Sequence, residues 1–347
     1  MSSLSWGMRS IVNLRIDSHK LMYHPNRVTQ WQRGLPIYPI YVEISPCGAC
    51  NHRCTFCALD YIGYKPVMLD AELLVDRVLE MANRYVQSIM FGGEGEPLLH
   101  KQIDRINERC SDKIDTAFTT NGVLLHRLES LEKCEWVKIS VNAGTKETYA
   151  KVHRTTLKDW DTVWNNIRKA VLRKGNCTIG VQTMLLPENA AEIPVLYRMC
   201  DDAGVDYLVV KPYSQHKMST THQYEGVRPI PPLIDVNNCE FIFRDETYQT
   251  TKISYDKCQA TPHFWAYIMA NGDVYSCSAY LMDDRFRLGN INTQTFTEIW
   301  DSVKRKENEY LVRNVLDIKE CRVNCRMDKC NRYLTDLIEG VPHVNYI

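Results

Sequence analysis

The tract PCGACNHRCTFC, residues 46–57, carries Cys47, Cys50, Cys54 and Cys57 within eleven residues. Thiols this crowded are read as ligands of a metal centre, and a loop that must wrap such a centre constrains the chain on either side of it. Two arrangements are open. In one, all four thiolates close around zinc or a saturated iron–sulfur cluster. Zinc pairs of this type usually have roughly 15–20 residues between them, whereas three residues separate Cys50 from Cys54. The bacterial ferredoxin run also has a different spacing. In the other arrangement Cys50, Cys54 and Cys57 hold three irons of a 4Fe–4S cluster, Cys47 merely ends the preceding strand, and the fourth iron is left to an exogenous ligand.

The flanking pattern says where that loop sits. PIYVEIS (39–45) is short and β-branched, a strand leading into the tract. Further strands are expected at 88–93, 114–120, 136–143, 177–186 and 205–213. They alternate with helices expected at 70–85, 98–110, 121–133 and 156–174, and with one that Gly204 stops. Six such units imply a parallel α/β sheet with right-handed crossovers, either an open barrel or a doubly wound sheet, with the site at the strand C-terminal ends. Residues 1–37 read as an N-terminal extension, 38–213 as the core, 214–254 as a polar, proline-containing connector, and 255–347 as a second cysteine-bearing region.

Composition narrows the function. Lysine plus arginine and aspartate plus glutamate both total 42, which argues against a broad nucleic-acid or anionic-membrane surface. No apolar run approaches a membrane span, and the first residues lack a secretory signal, so a cytoplasmic protein is expected. Fourteen cysteines in a reducing compartment suit metal ligation better than a disulfide framework. Cys110, Cys134, Cys177 and Cys200 read as small core residues.

CNHRCTFC is a C-x3-C-x2-C run with Phe56 before its last cysteine, directly after a first strand. In this it resembles the radical S-adenosylmethionine enzymes. The resemblance implies a partial (β/α)6 TIM-like barrel, a 4Fe–4S cluster on Cys50, Cys54 and Cys57, and S-adenosylmethionine on the open iron. It also implies reductive cleavage to a 5′-deoxyadenosyl radical and an external one-electron donor such as flavodoxin or ferredoxin. MFGGEGEPLLH (90–100) ends the second strand; Glu94 and Glu96 would repel a phosphate and suit an ammonium group. The resemblance assigns Glu96 to the methionine ammonium with Glu94 as runner-up, and Gly93 and Gly95 to close backbone approach. Ser140 and Asn142 are expected at the ribose hydroxyls and Arg154 at the methionine carboxylate. Gln182 is as readily a core glutamine as a contact.

The second region, with Cys258, Cys277 and CRVNCRMDKC, resembles the C-terminal extension called SPASM or, in shorter form, twitch. One auxiliary 4Fe–4S cluster is implied on Cys258, Cys277, Cys321 and Cys325, with Cys330 as alternate. A four-cysteine zinc site is the rival on spacing alone. Lys211, in KPYSQH, is a candidate for a substrate carboxylate or phosphate. The expected outcome is oxidation of a small polar metabolite of sugar, aminocyclitol or nucleotide type, with the auxiliary cluster accepting the electron. Radical epimerisation, with Cys239 as hydrogen donor, and peptide maturation are the alternatives. A non-catalytic electron carrier or zinc module is the reading from another class.

Overall fold

Short β-branched segments build the centre of the protein, for which a computed structural model describes residues 19–244, 254–322 and 325–346. Strands β1 (Tyr41–Ile44), β2 (Ser88–Phe91), β3 (Asp115–Thr120), β4 (Trp136–Ser140), β5 (Thr178–Leu185) and β6 (Tyr207–Pro212) pair in parallel in chain order. Between them lie α2 (Ala71–Asn83), α3 (Ile103–Cys110), α4 (Lys146–His153), α5 (Leu157–Arg173) and α6 (Ile193–Asp202), after an N-terminal α1 (Pro25–Gln32). Asp70 starts α2 by accepting the Leu73 N–H at 2.9 Å, and Thr145 caps α4.

Two further parallel strands enlarge this unit. β7 (Glu240–Phe243) adds beside β6, inside the segment expected to be only a connector. β8 (Trp265–Ile268), from the second cysteine region, pairs with β1 on the opposite edge. The antiparallel β9 (Asp273–Tyr275) and β10 (Arg287–Asn290) complete one sheet in the order β10-β9-β8-β1-β2-β3-β4-β5-β6-β7. The stretch RLGNI (287–291) is largely β10. Helices α7 (Phe296–Trp300), α8 (Val303–Asn314) and α9 (Asp328–Glu339) follow.

The sheet curls. Glu43 on β1 and Lys211 on β6 lie within each other's electrostatic reach, although five flat strand spacings would separate them by about 24 Å. Along β1, β2, β4 and β6, Val42, Ile44, Ile89, Phe91, Val137, Ile139, Leu208 and Val210 belong to the large core beneath the helices. By the two-residue period of a strand, Glu43, Lys138, Gln182 and Lys211 therefore point into the barrel lumen.

The helix expected over 121–133 is absent. Two 3-10 turns, Leu125–Arg127 and Leu131–Lys133, replace it. The buried leucines 125, 128 and 131 fall at intervals of three, which stack on one edge of a 3-10 turn but drift around an α-helix. No helix among the described residues is long and apolar enough to cross a membrane.

Candidate metal and cofactor site

β1 delivers the cysteine tract to the C-terminal end of the barrel. Cys50, Cys54 and Cys57 act on one another electrostatically, and burial raises all three thiols, Cys50 to about 12. Such thiols are neutral when bare, so a metal that takes them as thiolates must displace their protons. Cys47 is separate. Its fully buried thiol donates to the Ala49 carbonyl at 3.7 Å, and its charged neighbours are Glu96 and Glu94, not the other thiols. Among the described residues no three cysteine sulfurs lie within 4.8 Å of one another. A single zinc with Zn–S near 2.3 Å needs sulfurs only about 3.8 Å apart, so the donor set fits a polynuclear iron–sulfur centre.

The glycine loop after β2 locks against this tract. A Cβ on Gly95 would lie 2.1 Å from the Cys47 carbonyl oxygen and 2.4 Å from that of Ala49, and the Glu96 N–H donates to Ala49 O at 2.8 Å. Gly93, at φ 105°, lies under the Tyr267 hydroxyl. The close approach these glycines permit is thus to the protein's own backbone and side chains. Glu96 is heavily engaged: its carboxylate accepts from Leu98 N–H (3.1 Å), Thr120 Oγ1 (2.6 Å) and Asn121 N–H (2.7 Å). One acceptor position of about four remains for an ammonium. Glu94 accepts from the Ala270 N–H at 2.8 Å and the Tyr267 hydroxyl at 3.1 Å. Burial pushes both carboxyls up to about 7.

At the end of β4, Ser140 sits opposite Gln182 on β5. Asn142 is tied inward: its Oδ1 accepts from Met184 N–H at 2.6 Å, and its backbone N–H donates to His153 Nε2 at 3.1 Å. With Nε2 accepting, the His153 proton is on Nδ1, which faces Cys54 Sγ at 3.5 Å. Burial holds this imidazole neutral. Nothing in the sequence singled out His153, which the structure places at the end of α4. Phe56 meets it edge-on at 5.6 Å between ring centroids. Arg154, at φ 47°, ends α4 and lies within electrostatic reach of Cys54.

In the second region Cys277 is surrounded by Cys325, Cys258 and Cys321, and burial raises it well above the usual thiol range. Cys330, on α9, has only Cys258 as a thiol neighbour. The Asn331 amide lies 3.4 Å from Cys258 Sγ, and the Tyr280 hydroxyl 3.5 Å from Cys321 Sγ, so two of these sulfurs have polar neighbours.

Lys211 lies inside the lumen. Beyond it Tyr213 donates to Gln215 at 2.9 Å, and His216 stacks on Tyr61 at 5.0 Å. Cys239 is not brought to this end. It immediately precedes β7 at the opposite rim, 1% exposed, and burial pushes its thiol up to about 12, with Asp201 close by. Residue 239 precedes a strand whose far end lies toward the cysteine tract, so Cys239 and Cys54 sit at opposite ends of the sheet.

Comparison with known proteins agrees with this geometry. Residues 44–200 match the Radical SAM superfamily model, and 258–331 match SPASM, an iron–sulfur cluster-binding domain. GTP 3′,8-cyclase of Chlorobaculum tepidum is 29% identical over 55% of this chain and 59% of its own length. The chain thus spans less than two thirds of that cyclase. A tungsten-containing aldehyde ferredoxin oxidoreductase cofactor-modifying protein of Pyrococcus furiosus is 23% identical over 80% of this chain and 84% of its own. Among solved structures, Streptococcus suis SuiB bound to S-adenosylmethionine superposes with TM-score 0.61 at 17% identity, over 93% of this chain and 80% of that one. Native anSMEcpe with AdoMet and a peptide gives 0.55 at 16%, over 88% and 100%. These two likenesses bear on the fold.

Proposed function

We propose, from the premise that this chain belongs to the radical SAM superfamily and carries a SPASM-type iron–sulfur region, that it takes hydrogen from a small polar metabolite and oxidises it. When bound, the first cluster and S-adenosylmethionine supply one-electron cleavage to a 5′-deoxyadenosyl radical, and the auxiliary cluster supplies an electron acceptor. Cys50, Cys54 and Cys57 would hold the first cluster, and Cys258, Cys277, Cys321 and Cys325 the auxiliary one. Cys47 stays out of the first set, which leaves one iron corner for the cofactor. Glu96, with one acceptor position left, would take the methionine ammonium, and Arg154 its carboxylate.

The single observation that carries this reading is the convergence of three thiols with the fourth turned away toward Glu94 and Glu96. A small substrate is favoured because the second region reaches over the lumen: Arg326 pairs with Glu43 on β1, and Arg322 donates to the Ser214 carbonyl at 2.8 Å beyond β6. Oxidation is favoured over epimerisation because Cys239 lies at the wrong rim.

The test is anaerobic. After reconstitution with iron and sulfide, reduction and addition of S-adenosylmethionine, 5′-deoxyadenosine should form, with iron near about eight per chain, the sum of two 4Fe–4S clusters. Cleavage that persists in Cys47→Ala but vanishes in Cys54→Ala supports the reading. Loss in both variants alike defeats it.

A further inference from the structure

The four sulfurs assigned to the auxiliary centre differ from that of Cys330 in what points at them. Cys325 Sγ faces the Met327 N–H at 3.4 Å, and the Ala279 N–H acts on Cys277. These two donors come from the turns that carry the cysteines. The other two donors are side chains from distant positions. The Asn331 amide reaches Cys258 Sγ at 3.4 Å across 73 residues of sequence, and the Tyr280 hydroxyl reaches Cys321 Sγ at 3.5 Å across 41. What acts on Cys330 is burial, Cys258 and Asp328, with no donor among them.

Both side chains are held in place for this contact. Asn331 is 1% exposed, and its Oδ1 accepts the backbone N–H groups of Gln259 at 2.7 Å and Ala260 at 2.9 Å. Two donors on one oxygen fix which way round the amide lies, so the atom left for Cys258 is Nδ2, which can only donate. Tyr280 lies flat on Phe286, with ring centroids 4.0 Å apart and planes 6° from parallel. A cysteine that binds metal has lost its proton, so between Tyr280 and a ligating Cys321 the hydroxyl is the donor. The surroundings are apolar. Cys258, Cys277 and Tyr280 pack against a core that includes Trp265, Tyr275, Leu281 and Phe286, and hydrogen bonds are electrostatically stronger there than in water.

We propose that Asn331 and Tyr280 are positioning residues that set the reduction potential of the auxiliary centre, raising it by donating to the Cys258 and Cys321 sulfurs. A donor aimed at a ligand sulfur stabilises the more negative, reduced state. The inference rests on the reading of Cys258, Cys277, Cys321 and Cys325 as an iron–sulfur site that accepts one electron when loaded, and it names the side chains that suit the site to accepting.

The test reads potentials in the reconstituted holoprotein. Tyr280→Phe removes one hydroxyl and leaves the stacked ring. Asn331→Asp keeps acceptor oxygens for Gln259 and Ala260, removes the N–H donor and adds a negative charge. Tyr310→Phe, at an exposed tyrosine, is the control. Redox titration followed by electron paramagnetic resonance separates the two clusters, because S-adenosylmethionine changes the signal of the one it binds. In Tyr280→Phe the equilibrium constant for reducing the auxiliary cluster should fall about tenfold, a midpoint shift of about 59 mV for one electron. Asn331→Asp should fall at least as far, while the first cluster and the control keep the wild-type midpoints. In protein carrying isotope-labelled asparagine, pulsed resonance on the auxiliary signal should show a coupled side-chain nitrogen that Asn331→Asp lacks, which separates the donor from the added charge. Wild-type midpoints in both variants overturn the inference. So does a missing asparagine coupling in the wild type, the measurement that decides the matter if a variant loses its cluster. Iron near about four per chain in the wild type, with no second signal, would instead defeat the auxiliary-cluster reading itself.

Discussion

The hydroxyl of Tyr267, on a strand supplied by the second cysteine region, donates to Glu94 in the glycine loop of the barrel at 3.1 Å. β8 is therefore part of the wall that holds the glycine loop, and the Ala270 N–H at 2.8 Å fixes the other carboxylate oxygen. Tyr267→Phe leaves Glu94 one donor short in a buried setting, a loss of about 1–3 kcal/mol, to be read by denaturant unfolding.

The Glu94 carboxyl is pushed up to about 7 by burial, against 4.5 for an ordinary glutamate. Between those values the folded protein binds more protons than the unfolded chain does, so this group's contribution is fully present below pH 4.5 and is lost as pH rises through 7. Glu94→Gln removes the titration. The stability difference, variant minus wild type, should therefore grow in the variant's favour from pH 5 to pH 8. A flat difference across that range would show that Glu94 is ionised throughout.

His153 Nδ1 reaches Cys54 Sγ at 3.5 Å while Nε2 is held by the Asn142 N–H at 3.1 Å. An N–H aimed at a ligand sulfur favours the more negative, reduced cluster. His153→Leu should lower the midpoint potential of the first cluster by roughly 60 mV, the one-electron equivalent of about 1.4 kcal/mol. His153→Gln, which keeps an N–H, should recover part of it. Redox titration followed by electron paramagnetic resonance distinguishes these outcomes, and identical potentials in both variants would remove His153 from the cluster's environment.

Legibility in the sequence followed the range of the interaction. The grouping of Cys50, Cys54 and Cys57 was readable because the three lie within one loop, and the strands because runs such as YVEI and TIGVQTML carry their own β-branched pattern. What stayed hidden depends on distant partners. Nothing local in WAYI says that it will pair with YVEI, and EFIF at β7 is short and lies beyond a polar stretch. Nothing local to Glu96 announces Thr120 and Asn121, whose donors fill part of its carboxylate, because they sit on another strand end. His153 carried no sign of a role in the sequence, and only the fold turns it onto Cys54.

Gly95 tests the packing of loop on loop. An alanine there would drive a methyl group into the Cys47 and Ala49 carbonyls, backbone atoms with little freedom to retreat. The cysteine tract would shift as a unit, so Gly95→Ala should lose iron from the first site selectively. Iron per chain should fall from about eight toward about four, with the auxiliary signal intact. Full iron content in this variant would show that the tract yields more easily than its contacts imply.

Cys330 and Cys277 offer the last discrimination. Cys277 is surrounded by three thiols, whereas Cys330 has only Cys258 near it and packs beside the small core of Leu334, Phe264 and Ala260. Cys330→Ala should then keep about eight irons per chain, and Cys277→Ala about four, with deoxyadenosine still produced in both because the first cluster is untouched. If the two variants lose iron equally, the ligand set has rearranged on metal binding and Cys330 belongs to it; if neither does, the second region holds no cluster through Cys277.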